Sequence, residues 1–241
     1  KINNSNDINT GSHHTNKTIE AWFKVDNKNV SSHKQTIYEQ GGTVRGLNIY
    51  IFGGALYVGG WNEPESRWNP GTWLSTNSIQ SNTWHHVALT LSGGNSVSNN
   101  AFKGYLDGIQ FGSGKGSKLW HHPGDVSIGR NRDTKFHSGD FGSARYFSGL
   151  IDEVRLWNTT RTGAQIYSKK DSVLSGDESG LTAYYNFQEN SGSVANDGQT
   201  QSNNDGSINN GATWTSGPPL SKMNNSTFEN RTINLSSYND N

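Results

Sequence analysis

Three tryptophans fall within thirteen residues of the stretch GGWNEPESRWNPGTWLS: Trp61, Trp68 and Trp73, interleaved with Asn62, Glu63, Arg67 and Asn69. Sugar rings present flat C–H faces that stack on aromatic planes, and their hydroxyls call for amides and charged groups. An apolar wall with a few convergent polar groups is what a small-ligand site requires. Trp120, followed by His121 and His122 in KLWHHPGD, supplies a second cluster of aromatic and imidazole rings. Large aromatics also fill the interiors of β-sandwiches. The expectation is therefore that half of these tryptophans are buried and half face a ligand.

A second signal is a carboxylate in an apolar row. In FSGLIDEVRLWN, residues 147–158, a period of two puts Leu150, Val154 and Leu156 on one face of a half-buried strand, with Asp152 among them. A carboxylate there is costly unless something pairs with it. Backbone amides or an arginine would serve. Glu153, on the opposite face, reads as a solvent or ion-pair residue with Arg155. Asp133 and Asp140, in GRNRDTKFHSGDFG, read as turn residues first and metal ligands second.

These groups need elements to hold them. The chain has 241 residues, with Lys plus Arg equal to Asp plus Glu at 20 each, so no global field points to nucleic acid or an anionic membrane. It has no Cys, which excludes disulfides and thiolate chemistry, and no run of apolar residues long enough to span a membrane. No charged and then apolar leader opens it, so a signal peptide is expected to be absent or already removed. Strand-like runs recur between turn clusters. TIEAWFKV (18–25) alternates with Ile19, Ala21, Phe23 and Val25 on one face. GLNIYIFGGALYVGGW (46–61) folds at Gly53-Gly54, and KGYLDGIQFG (103–112) at Asp107-Gly108. TWHHVALTLSG (83–93), VSIG (126–129) and LTAYYNFQ (181–188) add further strands. Only RTGAQIYSKKDSVLSG (161–176) reads as helix, burying Ile166 and Val173 and stopping at Gly176. The pattern predicts an all-β antiparallel sandwich over residues 1–218. After SGPPL the chain turns polar and aperiodic, so 219–241 is expected to be a linker or the start of a neighbouring module.

Four stretches in order resemble the laminin-G-like, pentraxin-related branch of the concanavalin A-like lectin/glucanase superfamily: TIEAWFK, NTWHHVALTLSG, GYLDGIQFGSG and FSGLIDEVRLWN. A fifth, LTAYYNFQENSG followed by NDGSINNGATW, is similar to the family's closing strand and tail. The resemblance implies a jelly roll of two curved antiparallel sheets. It also implies a structural calcium ion on the Asp of the G-x-I-D-E-V strand, here Asp152, tying that strand to the N-terminal one. INNSNDIN (2–9) is similar to the family's entry strand, which sets Asn3, Asn4 and Asp7 as the partner ligands. Asn3 departs from the usual Asp; an amide oxygen ligates without bringing charge.

Hydrolases on this fold carry E-x-D-x-x-E on one strand, where alternate acids serve as acid and nucleophile. The sequence lacks it: Glu63 and Glu65 stand two apart in a Pro-containing loop with no third acid. A lyase would need a base beside a group that neutralises a uronate. His85, His86, His121 and His122, with Arg130 or Arg145, are the candidates, but WHHV belongs to a strand motif that non-enzymatic members share. Arg130, Arg132, Lys135 and Arg145 could favour an anionic glycan, offset by nearby Asp residues. The expected function is a non-catalytic extracellular module, within a larger secreted or cell-surface protein, that binds carbohydrate or a protein partner. The alternative is a polysaccharide-degrading enzyme on the same fold.

Overall fold

The computed structural model describes residues 1–63, 68–124, 126–139, 145–216 and 231–235. After a single π-helical turn at Asn6–Thr10, the strands run β1 (Asn16–Val25), β2 (Gln35–Gly41), β3 (Arg45–Phe52), β4 (Ala55–Asn62) and β5 (Trp68–Thr76). They continue with β6 (His85–Ser92), β7 (Ser98–Leu106), β8 (Ile109–Gly116), β9 (Ser127–Ile128), β10 (Arg130–Asn131), β11 (Arg145–Tyr146) and β12 (Gly149–Trp157). A helix, α1 (Gly163–Lys169), precedes β13 (Leu181–Tyr185), β14 (Val194–Ala195), β15 (Gly206–Ser207), β16 (Thr213–Ser216) and β17 (Arg231–Asn234).

Two antiparallel sheets carry the fold. One has the order β16-β17-β12-β1-β6-β7-β8, with β13 also on β12; the other has the order β5-β4-β3-β2-β9. The architecture is the antiparallel sandwich expected from the strand pattern, in the jelly-roll form that the resemblance implies. Ile19, Ala21, Phe23 and Val25 are fully buried and face Leu47, Ile49, Leu56 and Val58 of the second sheet in one continuous core. Both predicted hairpins turn where the sequence placed them: Gly53 and Gly54 have φ 57° and 90°, and Asp107 and Gly108 have φ 52° and 82°. Such pairs of left-handed residues match the twist of the flanking strands.

Three expectations are corrected. First, Asp152 does not lie in a simple row with Leu150, Val154 and Leu156. Glu20 pairs with Arg155 and Trp22 with Asp152, so Ala21 stands opposite both Glu153 and Val154. Glu153 is the extra residue of this bulge, at φ 50°. The bulge shifts the phase by one, and Ile151 rather than Leu150 joins Val154 and Leu156 in the core. Second, the helix is shorter than predicted. Ile166 is buried, but Val173 lies past the helix end and is 61% exposed. Thr162 and Gln165 close a capping box at the start of α1. Third, the segment read as linker returns to the sheet, because β17 pairs with both β12 and β16.

α1 and the turn after it cover a charged layer on the outer face of the larger sheet. Arg155 is fully buried; its Nη2 donates to Glu153 Oε2 at 2.6 Å and to the Ser172 carbonyl at 2.6 Å, and its Nη1 to the Lys169 carbonyl at 2.9 Å. Tyr184 Oη donates to Glu153 at 2.8 Å. The Glu153–Arg155 pair expected from sequence is present, buried rather than solvated. Beside it, Arg161 Nη1 donates to Glu20 Oε1 at 2.9 Å, and His86 Nε2 lies 3.3 Å from Glu20 Oε2. Burial works against the Glu20 charge, but His86, Arg155 and Arg161 hold its carboxyl below the usual range.

Candidate functional site

The outer face of the smaller sheet is where aromatic and amide groups gather. Alternation sends Leu47, Ile49, Leu56 and Val58 to the core and leaves Asn48, Tyr50, Tyr57 and Gly59 on the opposite face. Trp73 of β5 pairs with Gly59 and joins them. Gly59 has a specific task here. A Cβ at that position would lie 2.3 Å from Asn48 Oδ1 and 2.4 Å from Trp73 Nε1, so only a bare Cα lets both groups approach. Both atoms are buried and have no hydrogen-bond partner among the described residues. An acceptor and a donor thus flank one bare Cα. On the far side, Tyr57 stacks on His137 at 4.4 Å and on Tyr50 at 4.9 Å, with Tyr50 Oη 2.8 Å from His137 Nδ1. Asn48 Nδ2 donates to Thr134 Oγ1 and to the Lys135 carbonyl, which fixes the 134–137 loop over β3.

The tryptophans predicted for a ligand divide. Trp73 is half-buried, and Trp61 stacks behind it at 6.1 Å, itself fully buried with Nε1 donating to the Gly42 carbonyl. Trp68 is corrected to a core residue: it is 2% exposed, packs edge-on against Phe102, and donates from Nε1 to Thr72 Oγ1. Asn62 is buried and donates to the Lys118 carbonyl, while Glu63 forms an ion pair with Lys135. Arg67 lies outside the described residues, as do Glu65 and Asp140. Trp120 and His121 form a separate cluster completed by His13, whose ring stacks on Trp120 at 4.2 Å and on His121 at 5.1 Å. Asn62 to Lys118 and Arg45 Nη1 to the His121 carbonyl bind this cluster to the ends of β3 and β4. Sequence reasoning missed Asn48, Tyr57, Gly59 and His137. The signal for the first three was the strict alternation of GLNIYIF and ALYVGG.

The carboxylate of Asp152 is 1% exposed, and its Oδ1 accepts the Glu153 amide at 2.8 Å. Burial first, then the charge of Glu153, raises its carboxyl well above the usual range; Glu189 adds to the effect. Glu189 has its own Oε2 buried without a hydrogen-bond partner. The N-terminal residues are engaged elsewhere. Ile2 bridges Val126 and Gly206, Asn4 Oδ1 accepts from Asn9 Nδ2, and Asn3 and Asp7 are exposed. Among the described residues, no three His, Asp or Glu side chains converge as a metal site.

Residues 2–167 match the family model for the concanavalin A-like lectin/glucanases superfamily, the laminin-G type. The chain belongs to this superfamily. A crystal structure of a Bacteroides ovatus protein provisionally assigned as carbohydrate-binding is similar, with a TM-score of 0.53 and 23% identity over 87% of this chain and 58% of that one. The chain therefore spans little more than half of that protein's length. The binding domain of botulinum neurotoxin serotype D aligns more loosely, with a TM-score of 0.46 and 14% identity over 66% of this chain and 36% of that one. None of the curated proteins matches the sequence. Within the superfamily's WHHV strand, His86 is fully buried against Glu20. His85 Nδ1 lies 2.9 Å from Asp107 Oδ2, and its Nε2 accepts the Gln80 amide. Those positions are held by structural partners. Among the described residues, no helix is long and apolar enough to cross a membrane.

Proposed function

We propose that this chain is a non-catalytic carbohydrate-binding module whose ligand lies across the outer face of the smaller sheet, against Trp73 and Tyr57. The observation that carries this reading is the unpartnered Trp73 Nε1 and Asn48 Oδ1 on either side of Gly59. Each buried group without a partner costs about 1–3 kcal/mol, which a ligand hydroxyl able both to donate and to accept would offset. The half-exposed rings beside it offer the flat apolar surface that a pyranose face needs. Membership of the superfamily and the likeness to the Bacteroides ovatus protein support the same reading. An extracellular location, in a larger secreted or cell-surface protein, goes with it.

Affinity electrophoresis against a panel of soluble polysaccharides should show retardation by at least one. Trp73→Ala should weaken that binding about tenfold or more, since stacked aromatics dominate such contacts. A reducing-end and unsaturated-product assay on the same panel should show no turnover. Retardation by none of the panel, or equal retardation of Trp73→Ala, would remove the assignment.

Calcium is a second part of the proposal. In this reading Asp152 and Glu189 would hold it, and the orphaned Glu189 Oε2 and the effect of the Glu189 charge on Asp152 support that choice. Asn3, Asn4 and Asp7 are not used. A bound cation would relieve the mutual repulsion of these acids. The expected result is a rise in unfolding midpoint with millimolar calcium after chelation, absent in Asp152→Ala. Ion a hundredfold over its dissociation constant adds about 2.7 kcal/mol. No rise in the wild type would leave the Glu153 amide as the partner of Asp152.

A further inference from the structure

One cavity belongs neither to the aromatic face nor to the acidic pair. It opens between the sheets at the β9–β10 edge and encloses about 530 Å³, the size of a small-molecule pocket. Its lining includes Ile128, Phe147, Phe187 and Leu235, all core residues or packed against the core. Arg130 and Tyr146 stand among these walls, with the guanidinium 5.6 Å from the Tyr146 ring centre. Arg130 Nε is buried and has no hydrogen-bond partner among the described residues. The neighbouring Arg132 differs, because it is exposed and its Nε lies 3.5 Å from Asp133 Oδ2.

We infer that this cavity binds a small carboxylate with an apolar body. A guanidinium presents a planar fork that matches a carboxylate, and a ring face behind it holds the fork in place. Lys1 and Arg132 also line the cavity but are engaged, Lys1 through its amino group at the Ser207 carbonyl and Arg132 with Asp133, so the buried Nε of Arg130 is the donor left for one carboxylate. The aliphatic and aromatic walls then take the rest of the ligand. Arg130 is the residue that selects acid over neutral analogue. The inference stands apart from carbohydrate binding at Trp73, since the two sites share no residue.

Calorimetric titration with 4-phenylbutyrate and with 4-phenylbutanol tests it. The acid should bind at least about tenfold more tightly than the alcohol, the scale of one charge-assisted contact. Arg130→Gln should remove that preference, and an unfolding midpoint close to that of the wild type shows that the variant is folded. Arg132→Gln should keep the preference. Equal binding of acid and alcohol would overturn the inference. So would an acid affinity indifferent to Arg130→Gln, or no acid binding at concentrations on the order of 10 mM. Galacturonate binding through Arg130 in place of phenylbutyrate would overturn the apolar part and make the cavity a sugar subsite.

Discussion

Arg155→Ala is expected to destabilise this chain by about 3–5 kcal/mol, the cost of breaking a buried ion pair from one side. The guanidinium is fully buried and serves three acceptors at once: Glu153 Oε2 and the carbonyls of Lys169 and Ser172. Truncation leaves the Glu153 carboxylate with only Tyr184 Oη, and strips a donor from the turn that follows α1. Arg155→Lys keeps the charge but replaces a planar fork with a point charge, so it should recover only part of the loss. The double variant Arg155→Met, Glu153→Gln removes both charges together and should be more stable than Arg155→Ala, because no unpaired carboxylate remains. Urea denaturation of the four proteins measures this. A loss under about 1 kcal/mol for Arg155→Ala would mean that solvent reaches Glu153 and the layer is not sealed.

The same strand shows why the sequence was readable in parts. TIEAWFKV announces its inward face because each apolar residue is separated by one that points away, and nothing interrupts the pleat. FSGLIDEVRLWN reads just as cleanly, yet a single left-handed residue, Glu153, inserts one position and moves Leu150 off the core face. The Glu153–Arg155 pairing survives that slip, since Glu153, at the bulge itself, still accepts from Arg155 Nη2 at 2.6 Å. A bulge leaves no mark in periodicity unless glycine occupies it, and here it does not. The tryptophans raise a different difficulty. Trp68 and Trp73 have similar neighbours in sequence, but β4–β5 pairing shifts register between Gly60 and Asn62. The shift spans an even number of residues on each strand and leaves the alternation intact, so it is the five-residue spacing that sends Trp68 to the core and Trp73 to the outer face. Asn48, Tyr57 and Gly59 follow from alternation alone. His137 does not, because it reaches Tyr57 from a loop some eighty residues further along the chain. The tail strand β17 is too short and polar to show a period; pairing with β12 decides its place.

Glu39→Gln is expected to gain stability over the wild type as pH rises from 4.5 to 8. Glu39 is 1% exposed; its Oε1 accepts the Arg132 amide at 2.9 Å, and its Oε2 has no hydrogen-bond partner. Burial pushes its carboxyl from 4.5 up to about 8, with Asp133 adding to the rise against the pull of the Arg132 amide and the Arg130 and Arg132 charges. The folded state thus holds a proton that the unfolded chain releases, so this group subtracts stability above pH 4.5, and the full cost is present above pH 8. Glutamine keeps the Arg132 contact and removes the titration. The difference between variant and wild type should grow by roughly 1.4 kcal/mol per pH unit inside that window and stay flat outside it. The wild-type profile alone would hide the effect. His14 and His122 are pushed down to about 3 and about 4 by burial and by the Lys17 charge, so the unfolded chain binds their protons first and stability falls as pH drops below 6.5. Between pH 4.5 and 6.5 the histidines and Glu39 pull in opposite directions. Asp152, whose carboxyl is also raised by burial and by the Glu153 charge, pulls in the same direction as Glu39, so the difference between variant and wild type, and not either profile alone, reads Glu39. A variant whose pH profile merely parallels the wild type would show that water reaches Glu39 Oε2 and that its carboxyl titrates in the ordinary range.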